Sequence, residues 1–262
     1  MMGKAFFVVL SMGIVATTVS AATVYMEVGN LGTYGWNTVV VQDTQPRGAV
    51  TNRVQTGSNG LQFTNGDWNK TQGCWAAIST ANYAGVSASS ITALNVRLWG
   101  HEGDGTDWQP PMLMFTFQKA PGNLSNRYAW WVPWSDGVAR APQTWQTLDA
   151  LVDGSWVIPN VGGTYTTFAA MLAAYPDLLF PTEADLATMG GVPAGAHSFN
   201  LGFATSPFGS SVKTYTDSAR GTVDWFEVGI SGSVTRYDLF DVPEPATMLM
   251  LALGGLALRR RR

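Results

Sequence analysis

The sequence predicts an all-β chain folded as a single β-sandwich of the jelly-roll kind, with one short helix. Three observations predict it. Short runs with a period of two recur between residues 23 and 240, separated by Gly, Asn and Pro turn signals. Glycine is abundant, at 29 of 262 residues, as a chain with many tight turns requires. One stretch alone, 167–176, combines a helical period with a cap and a proline stop.

The elements follow in order. Residues 23–41 read as β, with Val24, Met26 and Val28 alternating with Tyr25 and Glu27 before a Gly/Asn turn and Thr38-Val39-Val40-Val41. Residues 42–60 are polar and end in the turn signal Gly57-Ser58-Asn59-Gly60. Leu61 and Phe63 alternate with Gln62 and Thr64 before Asn65-Gly66-Asp67, a hairpin signal. Further strands are read at 75–79 and 91–99; in the second, Leu94, Val96 and Leu98 point one way and Asn95, Arg97 and Trp99 the other.

Strands are also read at 112–117 and, strongly aromatic, at 128–134. Residues 144–156 fit both states: Trp145, Leu148, Leu151 and Val152 have helical spacing, yet the Trp and Thr content suits strands. Thr166 or Thr167 caps the helix, whose apolar face is Phe168, Met171, Leu172 and Tyr175 and which Pro176 ends. A second threonine-led helix fits 182–187, and 198–204, 222–230 and 234–240 close the chain as strands.

The two ends are different in kind. Lys4 is the only charge before Glu27; it precedes an apolar run over 5–19 and the small residues Ser20-Ala21-Ala22. Residues 1–22 therefore read as a secretory signal peptide, cut after Ala21 or Ala22. At the other end Pro243-Glu244-Pro245 precedes thirteen uncharged residues and then Arg259, Arg260, Arg261 and Arg262. A helix of that length reaches about 20 Å against roughly 30 Å of hydrocarbon, a poor permanent anchor. The arginine block belongs on the cytoplasmic side of a membrane.

This tail resembles the PEP-CTERM sorting signal of Gram-negative bacteria, on the order Pro243-Glu244-Pro245, short apolar segment and terminal arginine cluster. The resemblance covers residues 243–262. It implies export and transient insertion of the tail in the inner membrane as a transmembrane sorting helix. It further implies recognition by an exosortase-type membrane protease, removal of the tail near the Pro-Glu-Pro, and delivery to the cell surface or the exopolysaccharide matrix. Retention of the tail as an anchor is the alternative.

Between these ends lies one domain, residues 23–242. The ends remove Lys4, four arginines and Glu244, so the body keeps 10 basic and 17 acidic residues, a net charge of −7. That balance excludes nucleic acid as a partner, which needs a basic footprint. Cys74 is the sole cysteine, so no intrachain disulfide forms and stability rests on a core. In its apolar run, Cys74 reads as a buried thiol rather than a nucleophile.

All 11 tryptophans lie in the body. Flat aromatic faces suit sugars, whose C–H faces are apolar and whose hydroxyl rims seek polar partners. The densest cluster is Trp130, Trp131 and Trp134, the candidate glycan-binding residues. On a strand, Trp130 and Trp134 share one face and Trp131 takes the other, so one side is a core and the other a glycan platform or the underside of a loop. The residues 222–228, TVDWFEV, also resemble the last strand of carbohydrate-binding jelly rolls of the concanavalin-like and galactose-binding-like kinds.

The loop 100–108 carries His101, Glu102, Asp104 and Asp107 among three glycines. Oxygen ligands so spaced suit a structural Ca²⁺ held by Glu102, Asp104 and Asp107, and equally a solvated acidic turn. No other cofactor is expected.

His101 and His197 are the only histidines, which excludes a three-histidine zinc site. No Gly-x-Ser-x-Gly elbow, His-Glu-x-x-His or phosphate loop occurs. Asp224 and Glu227, at odd spacing, are expected on opposite faces of one strand and so not to act together. The function expected is a non-catalytic exported protein of the surface or polysaccharide matrix that binds glycan. A polysaccharide-active enzyme and a structural matrix component are the alternatives.

Overall fold

The computed structural model describes residues 22–41, 53–65, 75–102, 108–120, 123–141, 143–158, 163–189, 195–204 and 219–239. Fifteen strands run through them. The first seven are β1 (Ala22–Tyr25), β2 (Trp36–Val41), β3 (Arg53–Gly57), β4 (Gly60–Asn65), β5 (Trp75–Thr80), β6 (Ile91–Glu102) and β7 (Trp108–Gln109). The remainder are β8 (Met112–Ala120), β9 (Asn123–Val132), β10 (Trp145–Asp149), β11 (Ser155–Ile158), β12 (Gly163–Tyr165), β13 (Phe199–Ala204), β14 (Ala219–Ile230) and β15 (Ser233–Asp238). Two short helices, α1 (Phe168–Ala174) and α2 (Glu183–Leu186), separate β12 from β13.

The strands form two sheets, as an all-β sandwich requires. One has eight strands, and the other has seven in the order β12-β11-β9-β8-β13-β5-β2. In the first sheet, β14 is the spine. Along one edge it pairs with β6, which in turn pairs with β10 and β7. Along the other edge its first half pairs with β4, and its second half with β15. The hairpin partner β3 flanks β4, and β1 runs parallel beside β15.

Aromatic side chains join the sheets. Trp36 of β2 meets Phe226 of β14 and Tyr237 of β15 edge-on, at centroid distances of 5.3 and 5.5 Å. Edge-to-face packing is the favoured geometry for such rings. The hydroxyls of Tyr83 and Tyr237 lie 3.0 Å apart in the same interior. Burial, with Tyr237 beside it, pushes the Tyr83 hydroxyl well above its ordinary range, so it stays protonated. Phe115, Phe117, Phe180 and Phe199 continue the core along the second sheet, where β8 and β13 meet.

Local chemistry explains most of the elements. In β6, Leu94, Val96 and Leu98 are buried while Asn95, Arg97 and Trp99 are only half-buried, as the alternation predicts. Thr167 Oγ1 accepts the Ala170 N–H at 3.1 Å and starts α1; Thr182 Oγ1 accepts from Asp185 N at 3.2 Å and starts α2. The signal Gly57-Ser58-Asn59-Gly60 is the hairpin between β3 and β4.

Several expectations change. The ambiguous stretch 144–156 resolves into β10 and the start of β11, joined by a turn. The polar stretch before Gly60 contains β3, an edge strand whose side chains are exposed or half-buried and so lack an apolar signature. The strand read from Tyr128 begins earlier, at Asn123, and stops at Val132, which leaves Trp134 in a turn. The loop after Gly100 is narrower than read, since β6 continues to Glu102 and pairs with β7. The predicted signal peptide up to Ala21, with Cys74, Gly66, Asp67 and the tail, lies outside the described residues, whereas its last residue, Ala22, opens β1. Among the described residues no helix is long and apolar enough to cross a membrane.

Candidate functional site

The predicted tryptophan platform is not a surface. Trp131 is fully buried in the row Leu201–Leu113–Trp131–Trp156 of the second sheet, and its indole N–H donates to Asp153 O at 2.7 Å. Trp130 points to the other face of that sheet, beside Met114 and Asn200, and is only 7% exposed. Trp134 packs half-buried against the core. The odd spacing did separate Trp130 from Trp131, but both faces of the sheet are covered where these two residues sit.

A chain segment accounts for part of that cover. His197 N donates to Ser79 Oγ at 2.7 Å, Asn200 Nδ2 donates to His197 O at 2.9 Å, and Asn37 Nδ2 donates to Gly195 O at 2.7 Å. Residues 195–198 are therefore laid across β2, β5 and β13. His197 Nδ1 lies 2.9 Å from Glu183 Oε1, which ties α2 to the same segment. This is structural work for His197.

The calcium expectation finds no centre to describe. Asp104 and Asp107 lie outside the described residues, and Glu102 is placed only as the end of β6. Among the described residues no group of three or more His, Cys, Asp or Glu is arranged to hold a metal ion.

The aromatic and charged residues that do share a surface lie on the outer face of the first sheet. Cross-strand register arranges them in three rows. The first is Gln55–Gln62–Thr222–Trp99–Trp145. The second is Tyr25–Asp238–Trp225–Arg97–Thr147, and the third is Thr23–Arg236–Glu227–Asn95–Asp149. Their opposite-facing neighbours Val96, Leu98, Val223, Phe226 and Tyr237 are buried in the core. Trp99, Trp145 and Trp225 are half-buried on the outer face, and Tyr25 is 52% exposed at its margin.

One irregularity makes this face. β14 bulges between Val223 and Trp225, so Asp224 and Trp225 together oppose Arg97 of β6. The extra residue shifts the alternation, and Asp224 joins Glu227 on the outer face instead of opposing it. The expectation from odd spacing is overturned here. The bulge falls where β14 exchanges β4 for β15 as its neighbour, and Leu239 N donates to Asp224 O at 2.8 Å. Gly60, at φ +125°, lets β4 approach there; a Cβ at that position would overlap the carbonyl oxygen of Val223.

The side chains form two linked stacks. Arg97 Nη1 lies 2.9 Å from Asp224 Oδ2, and its guanidinium sits 5.3 Å from the centroid of Trp145. Arg236 Nε donates to Asp238 Oδ1 at 2.8 Å, its Nη1 stands 3.6 Å from Glu227 Oε1, and its guanidinium lies 4.1 Å from the Trp225 ring. Asn95 Nδ2 donates to Glu227 Oε2 at 3.0 Å. Guanidinium groups held by both a carboxylate and an indole face are fixed in position. Burial pushes the Asp224 carboxyl above its ordinary range, helped by Asp238 and opposed by Arg97 and Arg236.

This face offers rigid aromatic edges together with fixed donors and acceptors, a surface suited to recognition. The alternation in the sequence set Arg97 and Trp99 on the face opposite Leu94, Val96 and Leu98 but did not assemble the site, because the bulge and the register are not local signals.

The comparisons bear on the tail. Residues 241–262 match the family described as the PEP-CTERM protein-sorting motif. Neither a curated protein nor a solved structure matches the chain. The motif indicates export along a sorting pathway to the cell surface, and processing by an exosortase-type membrane protease. The chain carries a PEP-CTERM sorting motif at its C-terminus.

Proposed function

We propose that this protein is a non-catalytic surface or exopolysaccharide-matrix protein that holds glycan on the outer face of its eight-stranded sheet. In this reading residues 1–22 are removed as a signal peptide, and the segment from Pro243 is cut away by the exosortase after transient membrane insertion. Residues 23–242 remain as one sandwich of the jelly-roll type.

The observation that carries the reading is the interleaving of Trp99, Trp145, Trp225 and Tyr25 with Arg97, Arg236, Asn95 and Glu227 on neighbouring strands of one face. Apolar ring surface beside fixed hydrogen-bonding groups matches the two-sided chemistry of a sugar. Delivery to the surface by the tail puts such a face where polysaccharide is.

The test is affinity electrophoresis and calorimetry of the processed protein against polysaccharides, including that of its own matrix. Retardation that disappears in Trp225→Ala with Trp145→Ala supports the reading. Absence of binding, with self-association instead, contradicts it and favours a structural matrix component. Release of reducing ends during the assay contradicts the non-catalytic part.

A further inference from the structure

The charge pattern of the outer face narrows the class of ligand. Its two guanidinium groups, Arg97 and Arg236, face three carboxylates, Asp224, Glu227 and Asp238. Each cation already lies against a carboxylate, so an incoming uronate or sulfate would meet those carboxylates as like charges. The body as a whole carries −7, which repels polyanions at longer range.

A hydroxyl meets no such obstacle, because it both donates and accepts. The face supplies both kinds of partner on adjacent strands. Arg97, whose side chain is 42% exposed, uses Nη1 on Asp224 and has further N–H groups to offer. Glu227 and Asp238 accept, and Asn95 and Arg236 flank them.

Resting on the glycan reading of this face, we propose that its ligand is an uncharged, hydroxyl-rich polysaccharide and that Arg97 is a principal donor to its hydroxyls. Asp224 is the positioning residue. It is almost completely buried in the bulge, and its Oδ2 holds the guanidinium level with Trp145. Binding of this kind releases no counterions and is insensitive to salt, whereas a polyanion would bind through charge and weaken as salt screens it.

The experiment uses the processed protein and pairs of polymers that share a backbone and differ in their charged groups, dextran with lightly sulfated dextran that keeps most of its hydroxyls, and methyl-esterified pectin with polygalacturonate. The neutral member is expected to bind at least about tenfold more tightly, with affinity unchanged between about 0.05 and 0.5 M salt. Preference for the acidic member, weakening with salt, overturns this inference and leaves the glycan reading standing. Binding to neither member, nor to the native matrix polymer, overturns both.

Arg97→Gln is expected to lose about tenfold in affinity for the neutral polymer with an unchanged near-ultraviolet spectrum. Unaltered affinity in that variant overturns the role of Arg97. Should Arg97→Gln not fold, the matched pairs on the unaltered protein decide the ligand class, and Arg97→Lys decides the role of Arg97. Lysine keeps the charge but loses the planar fork, so the neutral polymer is expected to bind it less tightly.

Discussion

Arg97 and Asp224 are 2.9 Å apart, yet their environments are opposite: the arginine side chain is 42% exposed and the aspartate side chain 4%. The buried partner carries the desolvation cost and the exposed partner screens it. Removing Arg97 leaves a buried carboxylate without its ion. Arg97→Leu should lower stability by about 1–2 kcal/mol, a figure discounted for the exposure of the arginine. Adding Asp224→Asn should restore part of the loss. Urea unfolding of both variants and the double variant measures the coupling.

The same pair sets a pH dependence. With its folded value raised, Asp224 contributes stability that is fully present below its unfolded value and lost as pH rises through the raised value. Asp136 behaves in the reverse sense. Burial raises its value, but hydrogen bonds from Arg140, Gly154 N and Val138 N outweigh that and hold it at about 2. Its contribution is present above the unfolded value and lost as pH falls through about 2. Asp136→Asn should therefore cost about 1–3 kcal/mol at neutral pH and progressively less in acid. Asp224→Asn should gain relative to the parent as pH rises. Denaturation midpoints across pH 2–8 test both signs, with that interval set to span the usual carboxylate range.

Tryptophans on the two sheets should respond differently to alanine. Trp131→Ala removes a fully buried ring and should cost about 3–5 kcal/mol, with no direct effect on ligand binding where the protein still folds. Trp225→Ala takes away a half-buried ring stacked by Arg236 and should weaken glycan binding about tenfold at a smaller cost in stability. Melting curves and calorimetry on the two variants separate packing from recognition.

Gly60 supports the bulge without touching any ligand. Gly60→Ala should destabilise by about 2–4 kcal/mol, from the positive φ and from overlap with Val223 O. Because the overlap falls beside Asp224, glycan affinity should drop as well. A variant that melts early yet binds normally at low temperature would uncouple Gly60 from the outer face.

The sequence carried what is local. Alternation in Leu94, Val96 and Leu98 placed β6, and the threonines at 167 and 182 marked both helices. What failed depended on partners distant in the chain. The edge strand β3 has no apolar face to announce it, and residues 144–156 have Trp and Leu at spacings that two strands and a turn satisfy equally well. The cluster Trp130, Trp131 and Trp134 was visible, but not that Trp131 gives its N–H to Asp153 O or that residues 195–198 cross the opposite face. Asp224 and Glu227 share a face through one inserted residue, which a strict period of two does not anticipate. The tail was legible because its three parts are contiguous.

Sorting through that tail is the central claim, and the intact mass of the protein recovered from the native cell surface and medium tests it most directly. The predicted mass corresponds to loss of the first 21 or 22 residues and of the segment after about Val242. Replacing Pro243, Glu244 and Pro245 by alanine should leave the longer species in the membrane fraction. A native mass that retains Arg259 to Arg262 would contradict processing and make the tail an anchor.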